Sequence, residues 1–434
     1  MYTGSGDNTK YPTLASLITN KFKNLLNNDG IELHNLNVLI GPNGSGKSNF
    51  ISVLEFLKNC IVATSDESQM ASQFDNAITI LGGSKMLDKG ASCPAEITFT
   101  YNFTETPEIP KGLSLNLDLY VSSKDSKITI SQDFVSDFKY SQREPFIYYK
   151  FHDRRTGDGV VSVWSDEEER KSHYEKVENI PTNTLGLVVL PNLLEKSSNP
   201  PERTPIYKVR RQLIENIRRW HFYNANYMNL SMIRSSEPKI GPTDVYLSPS
   251  GHNLALVMEN LIQQDINFEE NINLAMKSIL PNTRRLRPVR TGLMSLNLEW
   301  YFSGIAERFY LNEMSDGTVR MLCWAGILLS PNLPTLLVID EPELGIHASW
   351  MPVLAEWIKK ASRRTQVIVS THSPDLLDSF TDEANNVICF SAKNSHHFFA
   401  ASLRSDLLKS KFDEGWKLGD LYRVGDATVG GWPW

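Results

Sequence analysis

The chain has 434 residues, 41% hydrophobic, 10% aromatic and 22% charged, a composition that supports a sizeable core and excludes a disordered or fibrous protein. At ~100–200 residues per domain this length predicts two to four domains or lobes. Against 50 acidic residues there are 44 basic ones, a formal net charge of −6, so the totals do not announce a nucleic-acid or anionic-membrane binder. Cys60, Cys93, Cys323 and Cys389 lie far apart with no CxxC pair, which argues against a zinc ribbon or disulfide framework and fits a reducing cytosol. The N-terminus MYTGSGDNTKYPTL has no basic-then-apolar signal sequence, and no apolar run is long enough to cross a bilayer. A cytoplasmic protein is expected.

In chain order, the first strong element is LNVLIGPNGSGKSNFISVLEFLKN, residues 36–59. The apolar run Leu36–Ile40 reads as a buried strand, and Asn49–Leu57 is apolar at helical spacing. Between them Gly41, Pro42, Asn43, Gly44, Ser45, Gly46, Lys47 and Ser48 satisfy G-x-x-x-x-G-K-[ST]. Glycines let successive backbone N–H groups turn inward around phosphate oxygens, helped by the positive end of the following helix. Lys47 suits the β/γ-phosphates of ATP and Ser48 suits Mg²⁺, with Asn49 completing the cofactor-binding stretch.

Two alternating runs follow. Ile97, Phe99, Tyr101 and Phe103, then Leu115, Leu117, Leu119 and Val121, face one way, with Glu96, Thr98, Asn102, Asn116 and Asp118 opposite. With Leu296, Leu298, Trp300 and Phe302 further on, they predict an antiparallel β subdomain that buttresses the nucleotide face.

The segment 166–284 differs. Asp166–Glu169 is an acidic run, 197–205 (SSNPPERTP) is linker-like, and Ile206–Asn224 is amphipathic, with Ile206, Val209, Leu213, Ile217 and Trp220 on one stripe. No heptad pattern is sustained, so a short helical lobe is expected rather than a long coiled-coil arm. Two basic clusters stand out: Lys208, Arg210, Arg211, Arg218 and Arg219, and Arg284, Arg285, Arg287 and Arg290. They suit a double-stranded DNA backbone, but solvated arginines or ion pairs with the acidic run are the more ordinary reading, with a protein contact as a third.

Near the C-terminal end, Ser315-Asp316-Gly317-Thr318 opens an apolar helix, Val319–Leu329. Ser315 and the Gly317 N–H make an anion site at its N-terminus, or simply a helix cap. TLLVIDEPE, residues 335–343, reads as a buried strand ending in two carboxylates, where ligands sit in parallel α/β sheets. Asp340 suits Mg²⁺ held through water, and Glu341 suits polarising an attacking water. Gln366–Thr371 is a second such strand, ending at His372, 31 residues after Glu341. A lone histidine is usually structural, but this one is placed to hydrogen-bond a γ-phosphate. The tail Gly430-Gly431-Trp432-Pro433-Trp434 either tucks against its own domain or docks on a partner.

With these motifs in hand, the chain resembles the ABC-type ATPases of the SMC/RecF/OLD group, particularly the single-chain ATPases of bacterial anti-phage systems. MSDGT, residues 314–318, looks like the LSDGT variant of their LSGGQ signature, with Met314 replacing Leu. Ile18–Lys23, the GSKM stretch from Gly83, LSPSGHNLALVMENL (247–261) and Glu343–His347 as a D-loop equivalent resemble the same group. The resemblance implies a homodimer, or a higher homo-oligomer, with each ATP between the phosphate loop of one subunit and Ser315, Asp316 and Gly317 of the other. It implies a Q-loop glutamine, for which Gln69 and Gln73 are candidates. The implied fold is α/β, a P-loop NTPase of ABC-type head with an antiparallel β subdomain and an inserted helical lobe. Expected divisions are 1–165, 166–284 and 285–434. Catalytic roles then fall to Lys47, Glu341 and His372, with Mg²⁺ at Ser48 and Asp340. No toprim-like acidic set, HNH cluster or Cys/His nucleophile pair is evident, so any nuclease or toxin output belongs to a separate effector chain.

Overall fold

Strand character follows burial. Leu36–Ile40, Leu336–Asp340 and Gln366–Ser370 are near-continuous apolar runs, the pattern of strands covered on both faces, and all but the terminal Asp340 are buried throughout. A computed structural model of the chain describes residues 11–61, 66–88, 94–107, 109, 111–122, 127–136, 145–151, 158–166, 171–195, 204–394 and 396–430. The acidic residues 167–169, the linker-like 197–203, Cys93 and the tail 431–434 lie outside them. The chain forms two units: Met1–His34, Pro42–Trp220 and Phe390–Ser402 make one, and Asn35–Gly41, His221–Cys389 and Leu403–Trp434 make the other.

The first unit is built on a mostly antiparallel sheet. Its strand order is Phe398–Ser402, Leu25–Glu32, Leu14–Phe22, Ala95–Phe103, Leu113–Val121, Ile128–Ser136, Ile147–Phe151, Gly159–Asp166 and Lys171–Val177. The alternation read from sequence sets the register: Ile97 faces Leu119, Phe99 faces Leu117 and Tyr101 faces Leu115, and all six are buried. On the other side of the same pair, the Thr98 and Thr100 hydroxyls donate to Asp118 and Asn116 at 2.8 and 2.7 Å. The buried side carries the helices Lys47–Cys60 and Glu67–Leu81. Phe99 meets Phe22 edge-on at 5.2 Å and Phe56 at 6.0 Å, Phe56 meets Phe74 at 6.1 Å, and the Tyr101 hydroxyl donates to the Val53 carbonyl at 2.8 Å. The β sheet thus holds the helix that follows the glycine loop.

In the second unit the four strands Leu336–Asp340, Gln366–Ser370, Leu36–Ile40 and Val387–Ala392 lie side by side in that order, all parallel; the last of them leaves this unit after Cys389. Trp220–Asn224 flanks Leu336–Asp340 at the edge. Asp340 pairs with Ser370, and Ser370 with Leu39, so the three carboxyl ends are level. Helices Leu254–Gln264, Ile266–Ile279, Asp316–Leu328 and Met351–Ser362 belong to the same apolar core.

The strand Ser295–Phe302 buries Leu296, Leu298 and Trp300 as its alternation predicts. It pairs, however, with Thr283–Thr291 and Arg308–Tyr310 in a separate three-stranded sheet of the second unit, not with 95–121. The stretch 206–224 is also two elements. The helix ends at Arg218, and the run from Trp220 to Asn224, aromatic through Tyr223, takes strand geometry, as aromatic side chains favour. The helices of 166–284 are divided between the two units. Among the described residues the longest helix, Glu67–Leu81, has 15 residues, and no helix is long and apolar enough to cross a membrane.

Replacing Phe99 with alanine leaves a cavity between the Phe22 and Phe56 rings. A loss of about 3–5 kcal/mol in the unfolding free energy of the first unit is expected, read by urea denaturation.

Candidate functional site

The glycine loop takes the backbone that its motif requires. Gly44 and Gly46 have φ of 78° and 102°, which side-chain-bearing residues rarely adopt, and a Cβ at Gly46 would press on Asn24 Oδ1 at 3.3 Å. Asn24, from the hairpin between the first two strands, braces the loop. Its amide donates to the Gly44 carbonyl at 2.5 Å, and its Oδ1 accepts from the Asn49 amide at 2.7 Å. Gly46 is the N-cap of the helix Lys47–Cys60 and supplies no side-chain cap, so its first N–H groups face outward for an anion. Lys47 is only 5% exposed and donates to the Pro42 carbonyl at 3.2 Å. The Ser45 hydroxyl is fully buried and has no hydrogen-bond partner among the described residues. A buried ammonium, an orphaned hydroxyl and an uncapped helix start are a donor set that fits a phosphate chain.

At the level strand ends of the second unit, Asp340 Oδ1 accepts from the Ser370 hydroxyl. Glu341 has φ of 52°, a left-handed conformation costing a non-glycine residue about 1–2 kcal/mol. Its N–H donates to the Ser370 carbonyl at 3.1 Å, and Oε1 lies 3.7 Å from His372 Nε2. Strain held at such a carboxylate is typical of a working position. The phosphate loop begins at Gly41, where the neighbouring strand Leu36–Ile40 ends. There the Tyr422 hydroxyl donates to the Gly41 carbonyl at 3.2 Å.

A family model described as "AAA domain, putative AbiEii toxin, Type IV TA system" matches residues 36–378. The chain belongs to this AAA-domain family. No curated protein matches it. Among solved structures it is similar to an SMC head bound to the C-winged helix domain of ScpA, with 13% identity and a TM-score of 0.51, covering 90% of this chain and 99% of that one. The SMC head domain from Thermotoga maritima matches at 12% identity and TM-score 0.42, over 90% and 99% of the two chains. An SMC head with an extended coiled coil, bound to the C-terminal domain of ScpA derived from Pyrococcus furiosus, matches at 13% and 0.41, over 93% and 99%. The fold is that of an ABC-type P-loop ATPase head of the SMC/RecF group.

Within that fold, Ser315 is the N-cap of the helix Asp316–Leu328, its hydroxyl accepting from the Thr318 N–H at 3.3 Å. Gly317 packs tightly: a Cβ there would meet the Gly345 carbonyl at 3.1 Å and the Trp350 ring at 3.4 Å. Arg234 ties this helix start down, donating to Asp316 Oδ1 at 2.6 Å and the Met314 carbonyl at 2.8 Å. Gln69 and Gln73 sit on the helix Glu67–Leu81 rather than in a loop, and Gln73 donates to the Asn59 carbonyl at 2.9 Å.

Several arginines are committed within the chain. Arg210 donates to the Leu187 carbonyl, and burial lowers its pKa to about 10. Arg219 lies over the Tyr11 ring at 5.4 Å, Arg285 pairs with Glu269 at 2.7 Å, and Arg287 and Arg308 pair with the buried Glu299 at 3.5 and 2.9 Å. Arg211, Arg218, Arg284 and Arg290 are exposed.

Sequence reasoning placed Glu343 only within a D-loop equivalent. In the structure its Oε1 accepts from the Thr371 hydroxyl at 2.7 Å and from the His372 and Ser373 N–H groups at 2.8 and 3.1 Å. Burial raises its pKa above the ordinary carboxylate range, opposed by the His372 and Thr371 hydrogen bonds. Asn224 and Asn226, which no motif marks, donate to the acidic pair. Glu343→Ala leaves the His372 and Ser373 N–H groups without their acceptor, at a cost of about 1–3 kcal/mol. Faster amide hydrogen exchange at these two residues, with the rest of the unit unchanged, is the expected signature.

Proposed function

We propose that this chain is an ATP-hydrolysing switch that closes as a homodimer around ATP. The observation that carries the reading is the level parallel ends of three adjacent strands. They bring the start of the phosphate loop, the Asp340–Glu341 pair and His372 to one edge of one sheet. Lys47 and the loop N–H groups bind and orient the β/γ-phosphates, with the Ser45 hydroxyl finding its partner there. Ser48 and Asp340 would hold Mg²⁺, which supplies charge neutralisation across the phosphates when bound. Glu341 accepts the proton of the attacking water as the water oxygen bonds to the γ-phosphorus and the bond to the bridging oxygen breaks, releasing ADP and phosphate. His372, held through its backbone by Glu343, hydrogen-bonds the γ-phosphate and distinguishes ATP from ADP.

Ser315, Asp316 and Gly317 of a second copy complete each site from the far side of the γ-phosphate. ATP therefore bridges two chains, and hydrolysis releases them. The family description names a toxin and a type IV TA system, which supports placing this switch in a defence-linked setting. Assigning any toxic chemistry to a separate effector chain rests on the sequence, which shows no second catalytic constellation. DNA contact is not required by this reading, because much of the arginine charge is already spent within the chain.

Lys47→Ala is expected to abolish Mg²⁺-dependent ATPase activity in purified protein, and wild-type turnover that survives this change would sink the assignment. Glu341→Gln should bind ATP and accumulate a dimer in size-exclusion chromatography. An elution profile identical with and without ATP would count against the dimer mechanism.

A further inference from the structure

We propose that Asn224 and Asn226 are positioning residues that bracket the two carboxylates of the site, and that Arg320 ties this bracket to the signature helix. The proposal rests on the ATPase reading above and names further residues that the same site depends on. Asn224 ends the edge strand Trp220–Asn224, beside Leu336–Asp340. Its amide nitrogen donates to Asp340 Oδ2 at 2.7 Å, and the Asn226 amide nitrogen donates to Glu341 Oε2 at 3.2 Å. Between them the Ala225 N–H donates to the Asp340 main-chain carbonyl at 3.1 Å. One short segment therefore touches both acids: the strand ends at Asn224 and the chain turns over 225–227, with the Tyr227 N–H donating to the Asn224 carbonyl at 3.0 Å.

The amide orientation at Asn224 is determined by its surroundings. Asn224 Oδ1 accepts the Asn226 N–H at 2.7 Å, so only the nitrogen is left to face the carboxylate; the flipped amide would set oxygen against oxygen and orphan that N–H. Asp340 is then gripped from both neighbouring strands, by Asn224 on one oxygen and by the Ser370 hydroxyl on the other. Both donors are neutral. Neutral donors fix where a carboxylate points while leaving its full charge for a cation, whereas a lysine or arginine there would cancel it. Glu341 is treated alike: Asn226 holds Oε2, and Oε1 stays on the side of His372.

The bracket has its own anchor. Arg320, on the helix Asp316–Leu328, donates from Nη1 to the Ala225 carbonyl at 2.5 Å. Its Nε lies 3.2 Å from where a Cβ on Gly345 would stand, so the guanidinium fills the space beside the turn that follows Glu341. A shift of the signature helix thereby reaches both carboxylates through one hydrogen bond and the tripeptide Asn224-Ala225-Asn226.

The test uses full-length Asn226→Ala, Asn226→Gln, Asn226→Asp and Asn224→Ala, with two readouts. The first is steady-state ATP turnover. The second is equilibrium binding of a fluorescent ATP analogue during a Mg²⁺ titration. Asn226→Ala should lower kcat on the order of 10-fold or more and leave KM within about 2-fold, because the glutamate is misplaced while the phosphate cradle is intact. Asn226→Gln, which keeps a donor, should recover part of the rate. Asn226→Asp, which removes the donor and sets a like charge beside Glu341, should be slowest. Asn224→Ala should raise the Mg²⁺ concentration needed for nucleotide binding by about 10–100-fold. Wild-type kcat in Asn226→Ala together with a wild-type Mg²⁺ requirement in Asn224→Ala overturns the proposal. So does an equal loss in all three Asn226 variants accompanied by lowered melting temperatures, which marks a purely structural role. Absence of Lys47-dependent turnover in the wild type would instead defeat the ATPase reading, and the Mg²⁺ titration of Asn224→Ala would still decide the bracket.

Discussion

The site depends on the register of three buried parallel strands. Asp340 pairs with Ser370 and Ser370 with Leu39. Because parallel strands share one direction, their carboxyl ends share one edge, and whatever follows each strand is delivered there. The phosphate loop follows one, the two carboxylates end another, and Thr371-His372 follows the third. A slip of one residue would turn Asp340 from the hydrogen-bonded edge to the opposite face of the sheet. The apolar runs Leu36–Ile40, Leu336–Ile339 and Val367–Val369, buried on both faces, make such a slip expensive.

Around that frame, the candidate groups are each held by other polar groups. Asn24 braces the loop backbone, and Glu343 holds the peptide that carries His372. The strained φ of Glu341 persists because its N–H is tied to Ser370 and its carbonyl accepts from Leu344. In the other unit, aromatic packing of Phe22, Phe56, Phe74 and Phe99 fixes the helix that begins at Lys47. Side chains fixed in advance are what transition-state stabilisation requires, since no reorganisation is then needed as charge develops.

Much of this was legible in the chain itself because the relevant signals are local. The strand before the phosphate loop, Leu36–Ile40, matches its predicted bounds, and the strand before His372 ends one residue earlier than predicted, at Ser370. The alternation in Ile97–Phe103 and Leu115–Val121 gave the correct buried face. Other readings met competition from tertiary packing. The amphipathic stripe ending at Trp220 looked like one helix, but the aromatic run 220–223 is drawn into the sheet edge. The alternation of Leu296–Trp300 identified a strand but not its sheet, because period-2 patterning names a buried face and never a partner strand. Charge counting over 284–290 missed Glu269 and Glu299, which are close only in the folded chain.

Sequence by itself marked the candidate groups: a glycine-rich loop, an acidic strand end, a histidine strand end and a helix opened by Ser315-Asp316-Gly317. Each is a short motif whose backbone requirement is written in adjacent residues. Tertiary structure alone decided which other side chains lie against those groups. Asn224, Asn226 and Ser370 belong to no motif, and they are separated from the carboxylates they touch by 30 to 116 positions. Their effect comes from hydrogen bonds a few ångströms long between strands and helices that meet only on folding. No local periodicity encodes such a meeting.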